Sequence, residues 1–590
     1  MFETRPRGAL AALFLFLLTC SLATSSARAD ASSEQLNALV DEWYDNFLEM
    51  NPVMATFNGV HDYDDRLANS ISPEFIEKLV ASEHGYLERL EKINPEGLDT
   101  QDRLSWEIFR RDRMETIADA EFPGHLMPVN QMFSLPIFFV QMGSPGGLTP
   151  FNTAEDYDKF LSRIDDFVVW MDQAVTNMRE GIERGVVLPQ IIVEKTLPVL
   201  ESQIAATPAE SQFYSPIEAM PEEIQGDDRA RLQLAYENAI AEKIVPAYRG
   251  LHAFMRDEYM PHARQTTALS ALPDGEAWYR LAIAQNTSTN MTAEEIHELG
   301  KREVERIEGE MRKLAESVGF EGDIAQLREW VNSQEELKYS SEENVLERYR
   351  GLRDRVQANI PKLFSLSPEA DFEIRKVEGF RQATTPGAHY MPPSPDGSRL
   401  GIFYVNTGGW ENRSHAMGEA LYMHEAVPGH HFQIAIAREL DELPRFRRYN
   451  GYTAYSEGWG LYAESLGEEL GLYQDPFQKL GQLNSEIFRA RRLVVDTGLH
   501  AMGWTREEAL AYLPSEVEIN RYIVMPGQAL AYKVGELKIK DLRARAAARL
   551  GDRFDLREFH SQILKDGPLP LDVLEAKVDR WIESEATAGR

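Results

Sequence analysis

The stretch TAEDYDKFLSRIDDFVVWMDQAVTNMREGIERG, Thr153 to Gly185, sets Tyr157, Phe160, Ile164, Phe167, Met171, Ala174 and Met178 at alternating steps of three and four. On a helix of 3.6 residues per turn that spacing makes one apolar stripe, so the segment predicts a long amphipathic helix. The pattern recurs in SSEQLNALVDEWYDNFLEM (32–50), SPEFIEKLVASEHGYLERLEKI (72–93) and MTAEEIHELGKREVERIEGEMRKLAESVG (291–319). In the last of these Thr292 precedes Glu295 by three, as in a capping box. Strand-like alternation is scarce, and its clearest instance is RLGIFYVNT (399–407), after the turn-rich PPSPDGS. Turn-rich breaks near 133–152, 206–223 and 381–398 interrupt the chain without any repeat or long low-complexity linker. The expected fold is mainly α: a large helical body from 30 to about 380 and a part from 381 to 590, one continuous unit around a deep cleft.

Over 590 residues, 43% hydrophobic and 10% aromatic content suffices for a large packed core. A formal charge of -33 argues against nucleic acid as a partner, because phosphate binding is driven by basic patches, and the acidity serves solubility instead. Residues 1–29 read as a signal peptide, with Arg5 and Arg7, the apolar run Leu10 to Leu18, and Ala27-Arg28-Ala29 as a cleavage site. The run is shorter than the roughly 20 residues that span a bilayer, and no later stretch reaches that length. The expectation is therefore a secreted, periplasmic protein with no transmembrane segment. The single Cys, Cys20, follows Thr19 where a lipid-attachment site prefers a smaller residue, so a lipoprotein is the lesser alternative. A chain beginning at Asp30 has no Cys, and any metal must then rest on His, Asp and Glu.

Such residues gather in MHEAVPGHHFQ, Met423 to Gln433. Ser414 is a possible N-cap for a helix that carries Met417, Ala420, Leu421 and His424 on one side. A Glu directly after a buried His is where a zinc peptidase holds the base that activates a water on the metal, and Glu425 fits that role. No His stands four residues after His424. His430 follows at six residues and would face away in an unbroken helix, whereas His431, at seven, would lie about two turns distant. Pro428 cannot donate to the His424 carbonyl and Gly429 can take a positive φ, so the helix must bulge or stop and a following His can turn back. His430 is favoured over His431. Downstream, YTAYSEGWGLYAESLGEE supplies carboxylates: Glu457 as third ligand, and Glu464, seven residues on, as a partner behind the ligands. A fourth position held by water would make the site catalytic.

H-E-x-x-P-G-H-H followed by S-E-G-W-G-L-Y-A-E resembles the DUF885 family of bacterial proteins, itself similar to the mostly helical gluzincin metallopeptidases. NPVMATFNGVHDYDD, GVVLPQIIVEKTL, NMTAEEIHELG, RLVVDTGLHAMGW and MPGQALAYKVG extend the likeness along nearly the whole chain. The resemblance implies one Zn2+ per chain, a small β-sheet beside the metal-binding helix and short peptides as substrates. Asp496 and His500, spaced i, i+4, either make a cationic oxyanion donor or form a buried structural hydrogen bond. Gln528 and Tyr532 share that spacing, and the Tyr532 hydroxyl is a second candidate donor or a core side chain, with Tyr522 a weaker substitute. In RLGIFYVNT, Ile402, Tyr404 and Asn406 suit an edge that pairs with substrate backbone, or simply an interior strand. Arg489, Arg491 and Arg492 either neutralise nearby acids, the preferred reading, or bind a substrate carboxylate. These readings converge on a zinc-dependent peptidase. The alternatives are another metal-dependent amide or ester hydrolase and a non-catalytic periplasmic binding protein.

Overall fold

The computed structural model describes residues 31–588 apart from 378, 380, 381, 383–386 and 394–399. The expected signal peptide and Cys20 lie outside these residues. Helix makes up 69% of the described residues and strand 3%, so the fold is mainly α.

The first helix, α1 (31–50), leads into the NPVMATFNGVHDYDD segment, whose course is explained by the next element. Helix α2 (Ala154–Arg184) opens with a capping box between Thr153 and Asp156 and ends at Gly185, whose φ of 70° closes the helix in the left-handed region. All seven residues of its apolar stripe are buried, and among them Arg163 is fully buried as well. That guanidinium donates to Thr56 Oγ1 at 2.6 Å and to the Arg66 carbonyl at 3.0 Å, and pairs with Asp64 at 3.2 Å. The 51–65 segment is thus wrapped around one buried cation, which must be paired to be tolerated there.

Helix α3 (Ala293–Ser317) carries the expected capping box between Thr292 and Glu295. Three short strands follow: β1 (Phe372–Lys376), β2 (Ala388–Met391) and β3 (Gly401–Val405). Their order is β1-β3-β2, with β1 parallel and β2 antiparallel to β3. The strand read from the sequence is therefore the central one, buried at every residue, and has no free edge for substrate backbone. Tyr404 stacks on His389 with ring centroids 4.9 Å apart. Asn406 braces the turn after β3, its Nδ2 donating to the Gln382 carbonyl at 2.8 Å and its Oδ1 accepting from the Gly408 N–H at 2.9 Å. The substrate-edge reading of Tyr404 and Asn406 gives way to the interior-strand one.

Five further helices build the remainder of the site region: α4 (Gly418–Glu425), α5 (His430–Glu439), α6 (Thr453–Ser465), α7 (Pro476–His500) and α8 (Ala531–Leu550). Helix α6 meets α8 so closely that a Cβ on Gly458 would lie 2.4 Å from the Gly535 Cα. The hydrophobic core ignores the boundary near 380. One cluster joins Leu36 and Phe109 to Phe403, Trp459 and Leu574, and another joins Phe139 and Phe167 to Val495, Leu499 and Tyr522.

Candidate metal centre

The chain breaks between α4 and α5 as Pro428 demands. Ala426 leaves the helical region at φ −105° and ψ −103°, the Val427–Pro428 peptide is cis, and α5 restarts at His430. Gly429 does not adopt the positive φ expected of it; its φ is −77°. What requires glycine is close approach, since a Cβ there would sit 1.9 Å from the His424 carbonyl oxygen and 2.3 Å from that of Met423. Trp459, fully buried on α6, donates its Nε1–H to the Pro428 carbonyl at 2.7 Å and so ties the break to the next helix.

The break decides between the two histidines. The rings of His424 and His430 come to 4.8 Å, nearly perpendicular at 86°. His431 turns the other way, its Nδ1 2.9 Å from the Tyr390 hydroxyl and its ring packed on Phe372 at 4.6 Å. Burial pushes its pKa down to about 4, so it sits among the sheet residues as a neutral side chain.

Glu457 on α6 completes the group. Its Oε2 lies 3.5 Å from His424 Nε2 and 3.5 Å from His430 Nε2, and one ligand atom from each residue falls within 4.8 Å of the others. These separations exceed a hydrogen bond. Two atoms bound to one ion at tetrahedral angles, each by a bond of about 2 Å, stand about 3.3 Å apart. Behind His424, the fully buried Glu464 places Oε1 2.9 Å from Nδ1. A carboxylate there accepts the Nδ1–H and leaves the Nε2 lone pair free to bind an ion. Gly460 makes the room: a Cβ at that position would lie 2.8 Å from His424 Cε1. His430 has no such support, for its Nδ1 is buried without a hydrogen-bond partner among the described residues. Side-chain exposure rises from 3% at His424 to 14% at His430 and 21% at Glu457, so the group opens toward solvent on the Glu457 side.

The electrostatics are those of a site built to hold charge. Burial opposes a cation on His424, but Glu457 and Glu464 outweigh it and raise the pKa to about 9. Burial likewise opposes the Glu457 anion, and the two histidines overcome it and hold the carboxyl well below its usual range. For Glu425 the balance is reversed. Burial raises its pKa, with His430 and His424 only partly countering.

The remaining residues picked from the sequence divide. Tyr532, at the start of α8, lies parallel to the His424 ring at 6.4 Å, and the Arg492 guanidinium sits over its ring at 4.4 Å. Gln528 occupies the turn before α8, with Oε1 buried and unpartnered among the described residues. His500 is not an oxyanion donor: its Nδ1 accepts from the Leu269 N–H and its Nε2 donates to the Tyr522 carbonyl, each at 3.0 Å. Burial pushes its pKa down to about 4, which removes the expected cation. Nor does Asp496 orient that ring. It accepts from the Tyr279 hydroxyl at 2.6 Å and from the Gly527 N–H at 3.0 Å, and burial raises its pKa to about 7. The pair is a brace that fixes the chain leading into α8. Arg491 turns outward to Glu308 at 3.4 Å, while Arg489 and Arg492 turn inward. Sequence reading missed Gly460 and the pinning role of Trp459, although Gly460 stands one turn from Glu457 on the same face and was within reach of a spacing argument.

The sequence profile of DUF885, a bacterial protein family of unknown function, matches residues 52–578. The chain belongs to this family. Among curated proteins nothing matches it. Two solved structures resemble this DUF885 chain. A "putative lipoprotein" from Colwellia psychrerythraea is 28% identical with a TM-score of 0.87, over 94% of this chain and 99% of that one. A "putative lipoprotein of unknown function" from Shewanella oneidensis is 18% identical with a TM-score of 0.70, over 91% of this chain and 98% of that one, and shares the fold. No helix among the described residues is long and apolar enough to cross a membrane.

Proposed function

We propose that this DUF885 protein is a zinc-dependent peptidase acting outside the cytoplasm, with His424, His430 and Glu457 holding the ion and short peptides as substrates. The observation that carries the reading is the pair of 3.5 Å separations from Glu457 Oε2 to two imidazole nitrogens, with Glu464 locking the tautomer of His424. Two imidazole nitrogens and a carboxylate are a donor set that suits zinc, which would take the place of a proton there, and they leave a position free for chemistry. A zinc ion bound there supplies Lewis acidity, polarising a carbonyl and acidifying water. Glu425, its pKa raised by burial, takes the proton from the attacking water and delivers it to the leaving amine. Tyr532, beside His424, takes over from His500 as the donor to the developing oxyanion. Export is supported by the lipoprotein descriptions of both structural relatives, and these favour Cys20 as an anchor more than the Thr19-Cys20 dipeptide does alone.

The test is to purify the full protein, measure bound metal by mass spectrometry, and follow a defined peptide mixture beside Glu425→Gln. Zinc near one per chain with cleavage lost in the variant is expected. Equal cleavage by both proteins, or none by a zinc-loaded wild type, would end the peptidase reading.

A further inference from the structure

Next to the metal cluster lies a second group of charges that the mechanism above does not use. Glu518, with a side chain 21% exposed, receives Arg492 Nη2 at 2.9 Å, Arg521 Nη2 at 3.3 Å and the Tyr522 hydroxyl at 2.7 Å. Arg489 is engaged elsewhere: its Nη1 donates to Ser485 Oγ, and its Nη2 stands 3.7 Å from Glu464 Oε1, behind His424. Two guanidinium groups, those of Arg492 and Arg521, therefore converge on the single carboxylate of Glu518. The imbalance shows in their hydrogen bonding. Arg492, with a side chain only 7% exposed, keeps Nε and Nη1 buried without a hydrogen-bond partner among the described residues, and Arg521 keeps Nε likewise, its Nη2 having only the ion pair to Glu518.

Buried donors of a cation are costly when unpaired, and a native structure keeps them where an acceptor arrives. The acceptor that fits forked N–H pairs is a carboxylate, which two parallel hydrogen bonds can hold. The position says which carboxylate. From the Arg492 guanidinium to the Tyr532 ring is 4.4 Å, and from that ring to the His424 ring is 6.4 Å. An extended peptide covers about 3.5 Å per residue, so the clamp lies within roughly three residues of a bond cleaved at the metal.

We propose, resting on the peptidase reading of the metal centre, that Arg492 and Arg521 form a subsite for the C-terminal carboxylate of the substrate. The enzyme is then an exopeptidase. One water is added across a C–N bond one to three residues from the C-terminus. The N-terminal fragment gains a carboxylate, the short C-terminal fragment gains an amine, and the clamp holds the carboxylate that fragment already had.

Two measurements with an N-acetylated tripeptide, as free acid and as C-terminal amide, test this. The first is calorimetric binding of each to zinc-loaded Glu425→Gln, which needs no turnover. The acid should bind on the order of 10- to 100-fold tighter than the amide, the worth of a charge-assisted pair. Adding Arg521→Gln to that background should abolish the preference without weakening the amide. Arg521 is 15% exposed, which favours a folded variant. The second is cleavage by the wild type, where the same preference should appear in KM, and Arg492→Lys, which keeps the charge but loses the fork, should raise KM for the acid alone. Equal binding and equal cleavage of acid and amide would overturn the subsite and leave the peptidase standing. A preference for the acid that Arg521→Gln removes, without cleavage by wild type, would support the subsite and overturn the peptidase. Neither preference nor cleavage would overturn both.

Discussion

Gly460→Ala isolates the geometry of the proposed metal centre without removing a proposed ligand. The added Cβ would stand 2.8 Å from His424 Cε1 and 3.0 Å from both ring nitrogens. Comfortable carbon contacts begin near 3.5 Å, so the ring must retreat by roughly 0.7 Å. It has little freedom to do so, being buried and bonded to Glu464 at 2.9 Å. Metal bonds tolerate displacements of about 0.2 Å, so the shift should weaken zinc binding about 10- to 100-fold, or about 1.4 to 2.7 kcal/mol. Helix propensity acts in the opposite direction, because Ala is favoured over Gly inside a helix by up to about 1 kcal/mol. Metal affinity and metal-free stability should therefore separate. Competition titration against a chromophoric zinc chelator measures the first, and thermal unfolding in excess chelator measures the second. A folded Ala variant with wild-type zinc affinity would refute the reasoning, for His424 would then be either mobile or no ligand.

Three further outcomes are expected. Glu464→Gln, which keeps the shape but not the charge behind His424 Nδ1, should lower zinc affinity about 10- to 100-fold in the same titration, and an unchanged value would deny Glu464 its orienting role. Burial holds His500 and His560 at about 4 against an ordinary 6.5, so between these values the unfolded chain binds more protons than the folded one. Their contribution is complete above pH 6.5 and lost as pH falls toward 4, by about 3 kcal/mol for each ring. Urea unfolding at pH 7 and 4.5 should show a smaller acid loss in His500→Gln than in wild type, and equal losses would refute this. Arg163→Met strips the buried partner from Asp64 and should cost about 3 to 5 kcal/mol in urea unfolding, a loss below about 1 kcal/mol being incompatible with a structural cation.

The two weaker strands show what local pattern leaves out. β1 and β2 are five and four residues long, and β2 lies inside the turn-rich 381–398 stretch, so neither carries enough alternation to be read. They exist because β3 offers both its edges, and that is visible only once all three are paired.

Spacing along the chain determined most of what is local here. Steps of three and four residues made α2 and its buried stripe legible, because the backbone period alone decides which side chains share a face. Pro428 made the end of α4 legible, because a missing N–H cannot be restored by any neighbour. Glu457 and Glu464, seven residues apart, were placed on one side of α6 by the same arithmetic. Spacing cannot say what arrives at a shared face. Asp496 and His500 do share one, yet Tyr279, Gly527, Leu269 and Tyr522 claim their polar atoms first. Which ring comes beside His424 was likewise decided by distant partners, with Trp459 holding the break on one side and Tyr390 with Phe372 taking the His431 ring on the other. Hydrogen bonds and packing across tens or hundreds of residues depend on where whole helices come to rest, and only the tertiary structure decides that.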